Sequence, residues 1–141
     1  VYYKGAWMLH TLRHVLADDA LWFRTLKGLT TEFKLKIVTT DDIVRYFNRA
    51  TGRDLTPFFN HYLRHTAPPA LEYHLRQQSD GLEVRHRWKT PEPGFAMPVD
   101  VTMDGGKSFQ RLHPTTDWQT TRLPKGDDKH FRLATERFYV M

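Results

Sequence analysis

The apolar residues of this chain change their period once, at residues 66–69. Before that point they recur every three or four positions, and after it every second position. A period near 3.6 belongs to helices that bury one stripe, and a period of 2 belongs to strands that bury one face. Thr66-Ala67-Pro68-Pro69 lies at the change. Two successive prolines favour an extended connector and end any helix before them. The chain is therefore expected to be α+β, with about four helices followed by a small antiparallel β-sandwich. The expected division is residues 1–67 and residues 68–141.

Punctuation within the helical half supports this count. Residues 1–16 form one helical run, with Gly5, Met8, Leu9, Leu12, Val15 and Leu16 on one stripe. Tyr3, Trp7, His10 and His14 lie opposite, and a Trp opposite the apolar stripe predicts a helix packed on two sides. Asp18 and Asp19 suit the start of a second helix, whose apolar face is Trp22, Leu26, Leu29 and Phe33. Thr39 or Thr40 caps a third, with Asp41 and Asp42 in its first turn, Ile43, Phe47 and Ala50 on its stripe, and Gly52 at its C-terminal cap. Thr56-Pro57 opens a fourth, with Phe58, Phe59, Tyr62 and Leu63 as its buried face.

In the second half, Leu71, Tyr73 and Leu75 alternate with polar residues, and so do Leu82, Val84, His86 and Trp88. Ser79-Asp80-Gly81 between them is a hairpin signal. A third run puts Met97, Val99, Val101 and Met103 on one face, and Asp104-Gly105-Gly106 turns the chain again. Four shorter runs at 108–112, 118–123, 130–134 and 138–141 bring the expected strand count to seven, at spacings that suit a sandwich.

Hydrophobic content of 40% and aromatic content of 13% suit a packed fold. No apolar run approaches the roughly 20 residues that cross a membrane as a helix. The absence of cysteine excludes disulfides and thiolate metal sites. The net charge of +5 is compatible with a nucleic-acid partner, but no recognised nucleic-acid motif accompanies it, so a basic surface without nucleic acid is expected. Residues 1–16 begin with no initiator Met and no N-cap, so the chain is expected to be part of something longer.

One resemblance runs through the helical half. Tyr2-Tyr3-Lys4-Gly5-Ala6 ahead of a Leu-rich helix resembles the helix that follows the zinc site in the gluzincin aminopeptidases, the aminopeptidase N family. The likeness continues in order through Leu9-His10, Leu12-Arg13, Thr39-Thr40-Asp41-Asp42, Gly52, Asp54-Leu55, Phe58-Phe59 and Tyr62-Leu63. It implies a zinc metallopeptidase that removes N-terminal residues from peptide substrates, with a helical part of the catalytic domain leading into a β-sandwich. It also implies that Tyr2 donates a hydrogen bond to the oxyanion of the tetrahedral intermediate. A phenol suits that task, being a neutral donor at pH 7. The family's His-Glu-x-x-His motif is absent from the sequence. Zinc ligands are therefore expected in a missing N-terminal part of the same protein, and the 141 residues alone are expected to be inactive.

Other candidates carry blander readings. His10 and His14 have the i, i+4 spacing of a zinc pair, but Thr11 stands where a metallopeptidase helix needs Glu, and spacing places no third ligand. Both are expected to be structural. His86 is expected to be a hydrogen-bonded core histidine. Arg85, Arg87 and Lys89 form a basic strand face with no aromatic on it, which reads as solvated. Gly105-Gly106 reads as a turn, and no Ser-His-Asp set can be assembled around Ser79 or Ser108. The alternative from another functional class is a non-catalytic module that binds a protein partner.

Overall fold

A computed structural model of the chain describes the backbone of residues 2–141 and the side chains of residues 5–141. Four helices come first: α1 (Tyr2–Leu16), α2 (Asp19–Glu32), α3 (Thr40–Thr51) and α4 (Thr56–Arg64). Local chemistry sets their ends. The Asp18 carboxylate accepts from the Leu21 amide at 3.0 Å and caps α2. Thr39 and Asp42 form a reciprocal capping box at the start of α3, the Thr39 hydroxyl accepting from Asp42 N and the Asp42 carboxylate from Thr39 N. Such caps contribute about 1 kcal/mol each. Gly52 ends α3 in the left-handed region at φ 68°, where a Cβ would be strained. Pro57 stands in the first turn of α4.

The helical half packs through aromatic rings. Trp22 of α2, Tyr46 and Phe47 of α3, and Phe58, Phe59 and Tyr62 of α4 are all buried. The Tyr46 hydroxyl donates to the Thr25 carbonyl at 2.7 Å. It occupies the space a side chain at Gly28 would need, so α2 and α3 approach closely only because residue 28 has no Cβ. Leu63, expected on the buried face of α4, is half exposed, and His61 is buried instead. His61 tolerates burial because its Nε2 donates to the Ala67 carbonyl (3.0 Å) and its Nδ1 bonds the Thr90 hydroxyl (2.7 Å).

Strands begin at Ala70, as the change of period predicts. They are β1 (Ala70–Gln78), β2 (Gly81–Lys89), β3 (Val99–Thr102), β4 (Gln110–Leu112), β5 (Gln119–Pro124) and β6 (Arg132–Leu133). They form two three-stranded antiparallel sheets, ordered β1-β2-β5 and β4-β3-β6. The hairpin at Ser79-Asp80 is a two-residue loop that pairs Gln78 with Gly81. The seventh expected strand, residues 138–141, is irregular. It is still tied to the start of β1, since Leu71 N–H donates to Met141 O (2.9 Å) and Met141 N–H to Pro69 O (3.0 Å). One apolar cluster joins Leu12 and Leu16 of α1, the aromatic rings of α3 and α4, and Leu82, Val84, Trp88, Val99, Val101, Leu112 and Phe138. Fully burying each such side chain contributes roughly 1.5–3 kcal/mol. The Trp88 indole donates to the Met97 carbonyl at 2.8 Å, which fixes the chain entering the second sheet against the first.

Candidate functional site

The first helix is the element on which the resemblance places chemistry, and its setting can be followed residue by residue. Tyr2 is the first residue of α1, and its side chain lies outside the described residues. From Gly5 onward the helix makes contacts on two sides, as the position of Trp7 predicts. Leu12, Val15 and Leu16 face the core. The opposite face meets residues 136–139. The Trp7 ring stacks on Tyr139 with centroids 6.2 Å apart, and the His14 and Phe138 ring centroids are 6.1 Å apart. His10 Nε2 donates to the Glu136 carbonyl at 2.9 Å.

Thr11 is fully buried between these faces. Its hydroxyl donates to the Trp7 carbonyl (2.8 Å) and accepts from the Tyr139 amide (2.9 Å). On the other side of Tyr139, its carbonyl accepts from the Tyr62 hydroxyl of α4 at 2.6 Å. Burial pushes the Tyr62 pKa well up, and the neighbouring Thr11 hydroxyl only partly opposes this, so the phenol remains a donor. Three parts of the chain thus meet in one satisfied polar network: α1, α4 and residue 139.

The C-terminal end of α1 is held by arginines. Unpaired carbonyls at a helix end attract cations. Arg111 of β4 donates to the His14 carbonyl (2.6 Å) and the Val15 carbonyl (3.2 Å), and Arg53 donates to the Val15 and Leu16 carbonyls at 3.3 Å. Asp100 of β3 is buried and holds two guanidiniums, Arg111 at 2.8 Å and Arg137 at 3.0 Å. The Arg137 guanidinium also sits over the Phe109 ring at 3.7 Å. Beside them, burial lowers the pKa of His14, with His10 and Arg137 adding to the effect and Asp100 opposing it. An open cleft lined by Arg13, His14, Ala17, Asp19, Arg111 and Arg137 lies at this end of α1, the opposite end from Tyr2.

The His10 and His14 rings lie 4.7 Å apart and turn their edges to one another. Among the described residues, no group of three or more His, Cys, Asp or Glu could hold a metal ion. The residues in hand therefore do not fit a zinc site. His86 is buried, with Nε2 bonded to the Thr121 hydroxyl at 2.8 Å, and burial alone lowers its pKa. Asp104 organises its turn by accepting from Lys107 N, Ser108 N and the Ser108 hydroxyl, and the Ser108 bond leads in lowering its pKa to about 2. The basic face of β2 does carry an aromatic. Arg85 and Arg87 each lie 4.6 Å from the centre of the Trp118 ring, and His74 lies 5.4 Å from it. Trp118 precedes β5, and only the strand register brings it over those arginines. Thr11, His61 and Asp100 were not singled out from sequence, because their partners lie far along the chain and no local spacing announces them.

No protein-family model matches the chain, and no curated protein matches it. Among solved structures, the chain is similar to a crystal structure of Legionella pneumophila aminopeptidase A in complex with aspartic acid, at 12% identity and a TM-score of 0.69. The similarity covers 86% of this chain and 15% of that one. At that identity the likeness is one of fold.

Proposed function

We propose that these residues belong to a zinc aminopeptidase of the gluzincin type. In this reading residues 1–67 form the helical end of its catalytic domain and residues 68–141 form a β domain packed on it. The observation that carries the reading is a coincidence of two independent likenesses. The ordered motifs from Tyr2 to Leu63 resemble this family, and the fold is similar to a segment of an aminopeptidase. The substrates are peptides, attacked at their N-terminal residue. In this reading zinc is held by residues outside these 141, because the family's His-Glu-x-x-His motif is absent from the sequence.

Tyr2 is the catalytic group this chain contributes. It opens α1, so the helix that carries it is anchored behind it by Trp7, Thr11 and the arginines at residues 53 and 111. Its hydroxyl donates to the carbonyl oxygen of the scissile peptide as negative charge develops there. A neutral donor suits this step, because the hydrogen bond strengthens only as the oxyanion forms and therefore acts on turnover rather than binding.

The test is Tyr2→Phe in the intact peptidase, assayed at saturating peptide substrate with metal content measured. Turnover should fall by about 10²–10³, the usual cost of one oxyanion donor. KM and bound zinc should hold. Tyr3→Phe is the control, one residue away and off the motif. Near-parental turnover in Tyr2→Phe, or an equal loss in Tyr3→Phe, would overturn the assignment.

A further inference from the structure

We infer that Thr11 and Tyr62 are positioning residues: through the backbone of Tyr139 they set the rotation and axial placement of α1, and so the placement of Tyr2. The inference rests on the catalytic reading of Tyr2 given above. Apolar attraction is non-directional, whereas a hydrogen bond also constrains angle. Thr11 is the one fully buried polar side chain of α1 among the described residues. Its hydroxyl accepts from the Tyr139 amide at 2.9 Å while donating back to its own helix at Trp7 O. The Tyr139 carbonyl is held in turn by the Tyr62 hydroxyl at 2.6 Å. Both backbone groups of residue 139 are therefore used, one toward α1 and one toward α4.

The ring of the same residue extends the grip toward the N-terminal end. Tyr139 stacks on Trp7 at 6.2 Å and lies 6.0 Å from the Tyr62 ring, and His10 is bonded to Glu136 O close by. Tyr2 lies nine residues before Thr11, roughly 14 Å along the axis at 1.5 Å per residue. Tyr2 and Thr11 belong to one continuous helix, so a rigid-body shift of α1 moves both. An oxyanion donor must stand within about 0.5 Å of its productive place. A small release at Thr11 is therefore felt at Tyr2.

The experiment uses the intact peptidase and steady-state peptide hydrolysis, with zinc content and melting temperature recorded for each variant. Thr11→Val keeps the side-chain shape and removes both hydrogen bonds. Tyr62→Phe keeps the ring and removes the donor to Tyr139. Each should lower kcat about tenfold, a fraction of the ~10²-fold that a 1 Å misplacement can cost, with KM and zinc unchanged. Thr11→Ser restores the hydroxyl and should restore kcat. Thr31→Val is the control, since its hydroxyl also bonds a helix carbonyl four residues back but at an exposed site. It should leave kcat alone. In a Tyr2→Phe background the Thr11→Val loss should vanish, because there is no hydroxyl left to misplace. A full additional loss in that background, a change confined to KM, or parental kcat in both Thr11→Val and Tyr62→Phe would overturn the inference while leaving Tyr2 as assigned. Parental turnover in Tyr2→Phe itself would overturn the functional reading and this inference with it. Should Thr11→Val fail to fold, Tyr62→Phe in both backgrounds decides the question.

Discussion

The two sheets of this chain are built from the same number of strands, and they solve burial differently. In the sheet β1-β2-β5, the central strand alternates, with Leu82, Val84, His86 and Trp88 inward and Arg85 and Lys89 exposed. In the sheet β4-β3-β6, all four residues of the central strand are buried, Asp100 and Thr102 included. The first sheet has one face on the core and one toward solvent. The second is covered on both faces, partly by the arginines that reach the end of α1. A strand covered on both faces must satisfy its polar side chains internally, and Asp100 does so by holding Arg111 and Arg137. The difference teaches that the second sheet needs an ion-paired carboxylate in its central strand, whereas the first buries one neutral polar side chain, His86, on a single hydrogen bond.

The largest expected effect tests that contrast directly. Asp100→Ala leaves two partly exposed guanidiniums without their shared counter-charge, and losing hydrogen bonds to a charged group costs about 1.5–3 kcal/mol. Urea denaturation should show the midpoint falling accordingly. A loss below about 1 kcal/mol would place Asp100 with ordinary surface carboxylates and dissolve the distinction between the sheets.

A second test turns on pH. His86 of the first sheet and His14, which faces Arg137 behind the second, both have pKa values lowered by burial from the ordinary 6.5. The unfolded chain then takes up protons at a higher pH than the folded one. Stability is complete above about pH 6.5 and is lost as the pH falls from there toward the folded-state values. His86→Gln should flatten the stability profile below about pH 6.5, and His14→Gln should do so as well. An unchanged profile in both variants would mean that neither ring is held neutral by its surroundings.

The smallest effect belongs to the solvent face of the first sheet. Glu72 and Arg87 pair across β1 and β2 at 2.9 Å, with about a third of each side chain exposed. Glu72→Gln should change stability by about 0–1 kcal/mol. A larger loss would show that this face carries structural weight through Arg87 and its Trp118 contact.

Legibility followed the same contrast. The helices could be read because their signals are local. Asp18, Thr39 with Asp42, Gly52 and Pro57 each act within a few residues, and each stands where the sequence placed it. The first sheet could be read because a half-solvated strand must alternate. The second sheet hid its polar residues. Asp100 sits in a run whose alternating apolar residues drew attention to one face, while the other was equally buried. Strands β4 and β6, with three and two residues, are too short to display a period. Residues 138–141 looked like a strand because Phe138 and Val140 are buried, yet the segment only bonds at its end to β1. Trp118 was missed on the basic face because strand register is a tertiary fact. The candidate site was legible only as far as a motif could carry it. Tyr2 came from resemblance, whereas Thr11 and its partners came from contacts that no spacing encodes.

Thr11 and Tyr139 stand 128 positions apart, and His10 and Glu136 stand 126 apart. That separation has a consequence in time. On a ribosome adding about 5–20 residues per second, α1 emerges and waits on the order of ten seconds before its polar partners exist. During that wait its buried hydroxyl and the Trp7 ring have no native surface to meet. The helix can form early, but its seat cannot. Closing so long a loop is also entropically costly and slow relative to local helix formation. The growing chain therefore commits the helix bearing Tyr2 only when the segment around residue 139 arrives, so the step that sets the helix in place is among the latest in its assembly.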